Sequence, residues 1–143
     1  MMKTCWGLLA LFIYGVLNAN GSVLEFGHMI LKLTGKMAFP SYTSYGCYCG
    51  LGGKGQPRDG TDSCCFAHDC CYGKLKGCDT KTDRYNYTLE GDKITCGEGS
   101  PCETQICECD KNATLCFRDN LDSYDTKYIF YPDIHCSEKD VAC

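Results

Sequence analysis

Ser63-Cys64-Cys65-Phe66-Ala67-His68-Asp69-Cys70-Cys71-Tyr72 is the stretch from which the architecture can be read. Cys64 and Cys71 lie seven residues apart, nearly two helical turns, so on a helix they share one stripe. Cys109 and Cys116 repeat the interval further along the chain. Two antiparallel helices could therefore be joined by two rungs, Cys64–Cys116 and Cys71–Cys109, each pair about 10 Å apart along its own axis. In that register, positions whose numbers sum to 180 face each other, and Asp110 is level with residue 70. His68 lies two residues away, roughly 3 Å along the axis, so an imidazole and a carboxylate can meet across the pair.

Outward from this pair, the reading predicts helices over Asp59–Gly77 and from Glu103 to about Asn120. Asp59, Thr61 and Asp62 are candidate caps for the first helix, and Gly77 is its candidate terminator. Val23, Phe26, Ile30 and Leu33 recur at three- and four-residue steps before Gly35, which predicts a short amphipathic helix over Ser22–Thr34. Pro40 to Gly60 is dense in Gly, Pro, Tyr and Ser without helical period and reads as loop. Tyr85, Tyr87 and Ile94 alternate around Glu90-Gly91-Asp92, which predicts a small two-stranded hairpin. The tail after Asn120 reads as irregular.

Cysteine usage sets the compartment. Fifteen cysteines in 143 residues point to a disulfide-rich, secreted, extracellular chain. Lys3 followed by the apolar run Trp6–Leu17 has the form of a leader and is too short to span a bilayer. We expect residues 1–21 to be a signal peptide and 22–143 one domain, a cut after Ala19 being the second choice. Either cut removes Cys5 and leaves 14 cysteines, an even number that suits seven disulfides. A zinc site is disfavoured, because only His28, His68 and His135 accompany cysteines that mostly pair in such chains. Without Lys3 the chain has 13 Lys+Arg against 18 Asp+Glu, a net charge of −5, and no basic footprint for nucleic acid.

Two motifs, Tyr45-Gly46-Cys47-Tyr48-Cys49-Gly50-Leu51-Gly52-Gly53 and Cys64-Cys65-Phe66-Ala67-His68-Asp69-Cys70-Cys71-Tyr72, resemble those of the secreted phospholipases A2 of group II type, as do the cysteine positions to Cys143. The resemblance implies a mainly α, disulfide-rich fold: two long antiparallel helices cross-linked by disulfides, an N-terminal amphipathic helix, a glycine-rich calcium loop and a small β-hairpin. It also implies the pairs Cys47–Cys136, Cys49–Cys65, Cys70–Cys143, Cys78–Cys102 and Cys96–Cys107, which spacing alone leaves open.

The implied activity is calcium-dependent hydrolysis of the sn-2 ester of glycerophospholipids. Ca²⁺ would be held by the carbonyls of Tyr48, Gly50 and Gly52 and the carboxylate of Asp69, a hard-oxygen set suited to this ion. By the same resemblance His68 is the general base, Asp110 orients it, Tyr72 and Tyr85 support Asp110, and the Gly50 N–H is an oxyanion donor. Val23, Phe26 and Ile30 match the family's substrate channel, although on sequence alone they also read as the core face of an amphipathic helix. A histidine on a helix is ordinarily a packed side chain; the neighbouring Asp69 and facing Asp110 make His68 a candidate base.

Asn86-Tyr87-Thr88 and Asn112-Ala113-Thr114 are candidate glycosylation sites, Asn112 being placed near the helix seam and Asn86 in the hairpin. The expected partner is a phospholipid membrane surface, bound peripherally at its interface. A cell-surface receptor is a further candidate, and heparin binding is expected to be weak. The rival reading is a catalytically silent, phospholipase-like receptor ligand or matrix protein, disfavoured because His68, Asp69, Asp110 and the glycine loop are all present.

Overall fold

The structure is a computed structural model and describes residues 21–143. Apart from Gly21, the expected leader lies outside the described residues. The element order is α1 (Gly21–Thr34), a single turn α2 (Ala38–Ser41), α3 (Gly60–Gly73), β1 (Tyr87–Glu90), β2 (Lys93–Cys96) and α4 (Pro101–Asp119). Three short 3₁₀ turns follow, Leu121–Ser123, Thr126–Tyr128 and Asp133–His135, so the irregular tail has more local structure than the sequence suggests.

α3 begins where a cap is available: the Asp59 side chain accepts the Asp62 N–H at 2.8 Å. It ends at Gly73, four residues short of the expected Gly77. The chain leaves the helix through turns in which Leu75 N–H bonds the Tyr72 carbonyl and Cys78 N–H bonds that of Leu75. Gly77, at φ 82°, serves that exit rather than a helix end. α4 starts two residues before the expected Glu103, because Ser100 and Glu103 form a reciprocal capping box with Pro101 at the first turn.

The two rungs are present, Cys64–Cys116 and Cys71–Cys109, and fix α3 antiparallel to α4 in the expected register. All five pairs implied by the resemblance also form. Cys78 and Cys102 obey the same sum of 180, although α3 has ended before Cys78. The hairpin pairs Tyr87 with Cys96 and Glu90 with Lys93 about a two-residue turn; Tyr85 lies just before it.

α1 packs across α4. Its buried face is Met29, Ile30 and Leu33, whereas Val23 is 46% exposed and Phe26 half-buried. The apolar stripe is thus centred nearer the C-terminal half of α1 than the expected Val23-Phe26-Ile30-Leu33 series. Ile30 joins Tyr42, Tyr45 and Phe117 in one core cluster, and Met29 and Leu33 join Tyr85, Ile94 and Ile106 in a second. Buried Glu25 accepts from Arg84 Nε at 2.8 Å, tying α1 to the segment before β1.

Candidate active site

α3 carries His68 into the seam with α4, where Nε2 lies 2.7 Å from Asp110 Oδ1. Asp110 is fully buried on α4. Its Oδ1 also accepts the Tyr72 hydroxyl at 2.5 Å, and its Oδ2 accepts that of Tyr85 at 2.7 Å. Tyr72 is one turn beyond His68 on α3, while Tyr85 arrives from the segment before β1. Burial pushes both phenols well above their usual range, and the Asp110 carboxylate beside them adds to the rise, so both remain hydroxyl donors.

With three donors around it, Asp110 acts as acceptor, which places the proton of the His68–Asp110 bond on Nε2 and leaves Nδ1 with its lone pair. Phe26 stacks on the imidazole at 4.6 Å between centroids, and the Tyr72 ring lies tilted by 51° to it at 4.1 Å. The ring is 11% exposed. Of the three expected channel residues, Phe26 touches His68, Ile30 sits in the core and Val23 is exposed.

The next residue, Asp69, faces the glycine loop. Its Oδ2 is buried with no hydrogen-bond partner among the described residues. Burial pushes its carboxyl up to about 6; Asp62 reinforces the rise, while His68 and Lys81 oppose it. Gly50 holds φ 145°, where a Cβ would lie 2.5 Å from the Thr43 carbonyl oxygen, so only glycine lets the loop turn here. A Cβ on Gly53 would meet the Tyr48 ring at 2.7 Å and Asp69 Oδ2 at 3.4 Å, which shows how closely the loop runs over that carboxylate.

Among the described residues, the carbonyls of Tyr48, Gly50 and Gly52 accept no backbone hydrogen bond. These carbonyls and the orphaned Asp69 oxygen are hard-oxygen donors, the ligand type that Ca²⁺ takes. No cluster of three His, Cys, Asp or Glu side chains that could hold a metal occurs among the described residues.

The family model for phospholipase A2 matches residues 23–129. The chain belongs to the phospholipase A2 family. The chain is 57% identical over 142 residues to the basic phospholipase A2 homolog bothropstoxin-II of Bothrops jararacussu, covering 99% of this chain and all of that one. It is 55% identical to acidic phospholipase A2 5 of Echis ocellatus at the same coverage. Over 119 residues it is 62% identical to a basic phospholipase A2 of Bothrops leucurus, covering 83% of this chain and 98% of the relative.

Sequence reasoning overlooked Lys81, whose cation opposes the rise at Asp69, and took Asp62 only as a candidate helix cap, whereas its carboxylate bonds the loop itself. The path of the connection after α3 has no periodicity, so nothing in the sequence brings Lys81 to the site. Of the two candidate glycosylation sites, Asn86 is exposed beside the hairpin. Asn112 is exposed too, which corrects its placement at the seam, but Thr114 of the same motif is fully buried and donates to the Asp110 carbonyl at 2.8 Å.

Proposed function

We propose that this chain hydrolyses the sn-2 ester of glycerophospholipids in a calcium-dependent reaction, releasing a fatty acid and a lysophospholipid. The observation that carries this reading is the contrast within one helix between His68, held by Asp110, and Asp69, which has a buried oxygen without a hydrogen-bond partner among the described residues beneath the glycine loop at Gly53. His68 Nδ1 takes a proton from water as the water oxygen bonds to the ester carbonyl carbon, then returns it to the departing alkoxide oxygen. Asp110 holds the ring and stabilises the imidazolium without itself taking the proton, and Tyr72 and Tyr85 fix Asp110. The Gly50 N–H is the proposed donor to the oxyanion. Tyr48, Gly50, Gly52 and Asp69 would hold Ca²⁺, which supplies Lewis-acid stabilisation of the oxyanion and a counterion for the phosphate. Phe26 shields the imidazole from solvent on one side.

The seven disulfides among the described residues favour an oxidising compartment, and secretion is the proposed localisation. No helix among the described residues is long and apolar enough to cross a membrane. The proposed partner is a lipid–water interface, supported by Leu51, 92% exposed in the middle of the glycine loop. Asn86 is the proposed glycan acceptor.

The name of one relative includes the word homolog, which favours a second reading, a phospholipase-like protein without activity. Fatty-acid release from mixed phospholipid vesicles, with and without Ca²⁺, separates the two. Release that stops on chelation supports the enzyme; no release at any calcium concentration supports the silent protein.

A further inference from the structure

Two carboxylates that the proposed chemistry leaves unused tie down the glycine loop. Asp62, in the first turn of α3, is fully buried. Its Oδ2 accepts the backbone N–H groups of Cys47 and Arg58, and its Oδ1 accepts that of Tyr48, all at 2.8 Å. One side chain thus holds both legs of the loop. The approach is close enough that a Cβ on Gly46, at φ 60°, would come within 2.5 Å of the Asp62 carboxyl carbon.

Asp140 acts on the far side of the loop. It is exposed in the C-terminal tail, and its Oδ1 accepts the Gly55 N–H at 2.8 Å. The Gly55 carbonyl in turn accepts the Tyr48 hydroxyl at 2.7 Å. The tail is anchored by Cys47–Cys136 and by Cys70–Cys143, the latter rooted in α3 beside Asp69. A continuous chain of bonds therefore runs from Asp140 through Gly55 and Tyr48 to Asp62, and Asp62 lies seven residues, about two turns, before Asp69 on the same helix.

We propose that Asp62 and Asp140 are positioning residues that set calcium affinity by fixing Tyr48 against Asp69. The inference rests on the reading that this loop takes Ca²⁺, and neither residue touches the ion or the substrate. A loop ordered by these bonds bears its ordering entropy on folding, so less is lost when the ion binds. Outer residues that orient metal ligands commonly change affinity by about 10–100-fold when altered.

The test is calorimetric calcium titration of the unaltered chain, Asp62→Asn and Asp140→Ala, beside the calcium-induced rise in unfolding temperature of each. Asparagine at 62 presents an amide NH₂ to backbone donors and cannot keep all three bonds. Asp62→Asn should weaken calcium binding by about 10–100-fold. Asp140→Ala, losing one hydrogen bond, should weaken it by about two- to tenfold. Each rate deficit should close as calcium is raised. A merely structural role would lower stability equally with and without calcium and leave both dissociation constants unmoved, and that result overturns the proposal. Should Asp62→Asn fail to fold, Asp140→Ala decides alone, because its side chain is exposed and serves no core. An unaltered chain that binds no calcium overturns the functional reading and this one with it; calcium binding that the variants leave unchanged overturns only this one.

Discussion

Asp110 on α4 and Asp69 on α3 both adjoin His68, one across the seam and one along the chain, and they are treated in opposite ways. Asp110 is surrounded by donors: two phenols and an imidazole N–H satisfy its two oxygens. Asp69 has a buried oxygen with no partner among the described residues, close under the loop at Gly53, and the Tyr48, Gly50 and Gly52 carbonyls of that loop likewise accept no backbone hydrogen bond. A buried carboxylate oxygen left without a donor is unfavourable unless a cation or water meets it. The difference separates two roles that sequence adjacency blurs. A fully partnered carboxylate can orient a neighbour but has no capacity left for a ligand, whereas an orphaned one is suited to receive an ion.

The sharpest way to break this contrast is to put a cation on the side chain itself. Asp69→Lys should abolish calcium binding and hydrolysis together, because it replaces the only side-chain ligand in the set with a positive charge. A calorimetric titration that still shows calcium uptake would remove Asp69 from the proposed site. His68→Gln should instead keep the ion and lose the reaction, with kcat falling by about 10²–10⁴, the range for loss of a general base. The two variants must therefore differ in calcium binding and agree in lost turnover. If His68→Gln turns over vesicle lipid at near the unaltered rate, the base is elsewhere.

The Asp110 side depends on register, so it is also sensitive to cross-links. Replacing Cys71 and Cys109 together with alanine should cost about 2–5 kcal/mol of stability, read from denaturant midpoints. The rate should fall as well, since the rung lies one residue from Asp110 and three from His68. A rate unchanged in the folded double variant would show that packing alone keeps the seam aligned.

That register was the most legible part of the molecule. Counting along two helices brings His68 to Asp110 because helical rise is regular, and cysteine spacing pins the offset. The same count also contains Cys78–Cys102, although a rung beyond the end of α3 cannot be inferred without knowing how the chain leaves the helix. Ser100-Pro101-Cys102-Glu103 carries a capping signature that marks the true start of α4. The loop side was legible only through resemblance. Tyr48, Asp62 and Asp140 are brought together by irregular chain with no period to count, and Asp140 lies 85 residues from Gly55 in the sequence. Tyr85 is an intermediate case: its place before the hairpin can be read, but not its reach to Asp110.

A smaller effect tests how far the phenols matter. Tyr72→Phe and Tyr85→Phe each remove one donor from a fully buried carboxylate and should cost about 1–3 kcal/mol of stability. Because both act on Asp110, the double variant should depart from the sum of the singles. Strict additivity in that cycle would mean that the hydroxyls do not form one network with Asp110.

The smallest effect is expected at the lipid interface. From Ser22 onward the chain lacks tryptophan, and its net charge is −5 by the same count of 13 bases and 18 acids. Both features oppose adsorption to anionic lipid. The basic residues that could override the total are partly engaged: Lys36 Nζ lies 4.4 Å from the Tyr124 ring centre, and Arg118 and Lys127 pair with Asp119 and Asp125. From Phe117 on there are six acids against three bases, so heparin should bind weakly. In the opposite direction, Phe39, Leu51 and Phe130 expose apolar surface, with the Phe39 and Phe130 rings 6.4 Å apart. Apolar area attracts the protein to any lipid, whereas charge distinguishes anionic lipid from zwitterionic, at about 1 kcal/mol per basic residue near the surface. Sedimentation with vesicles of increasing anionic fraction should therefore show weak binding that does not rise with anionic content, beside normal turnover on a dispersed short-chain substrate. Tight, salt-sensitive binding to anionic vesicles or heparin would show that a local basic face outweighs the net charge.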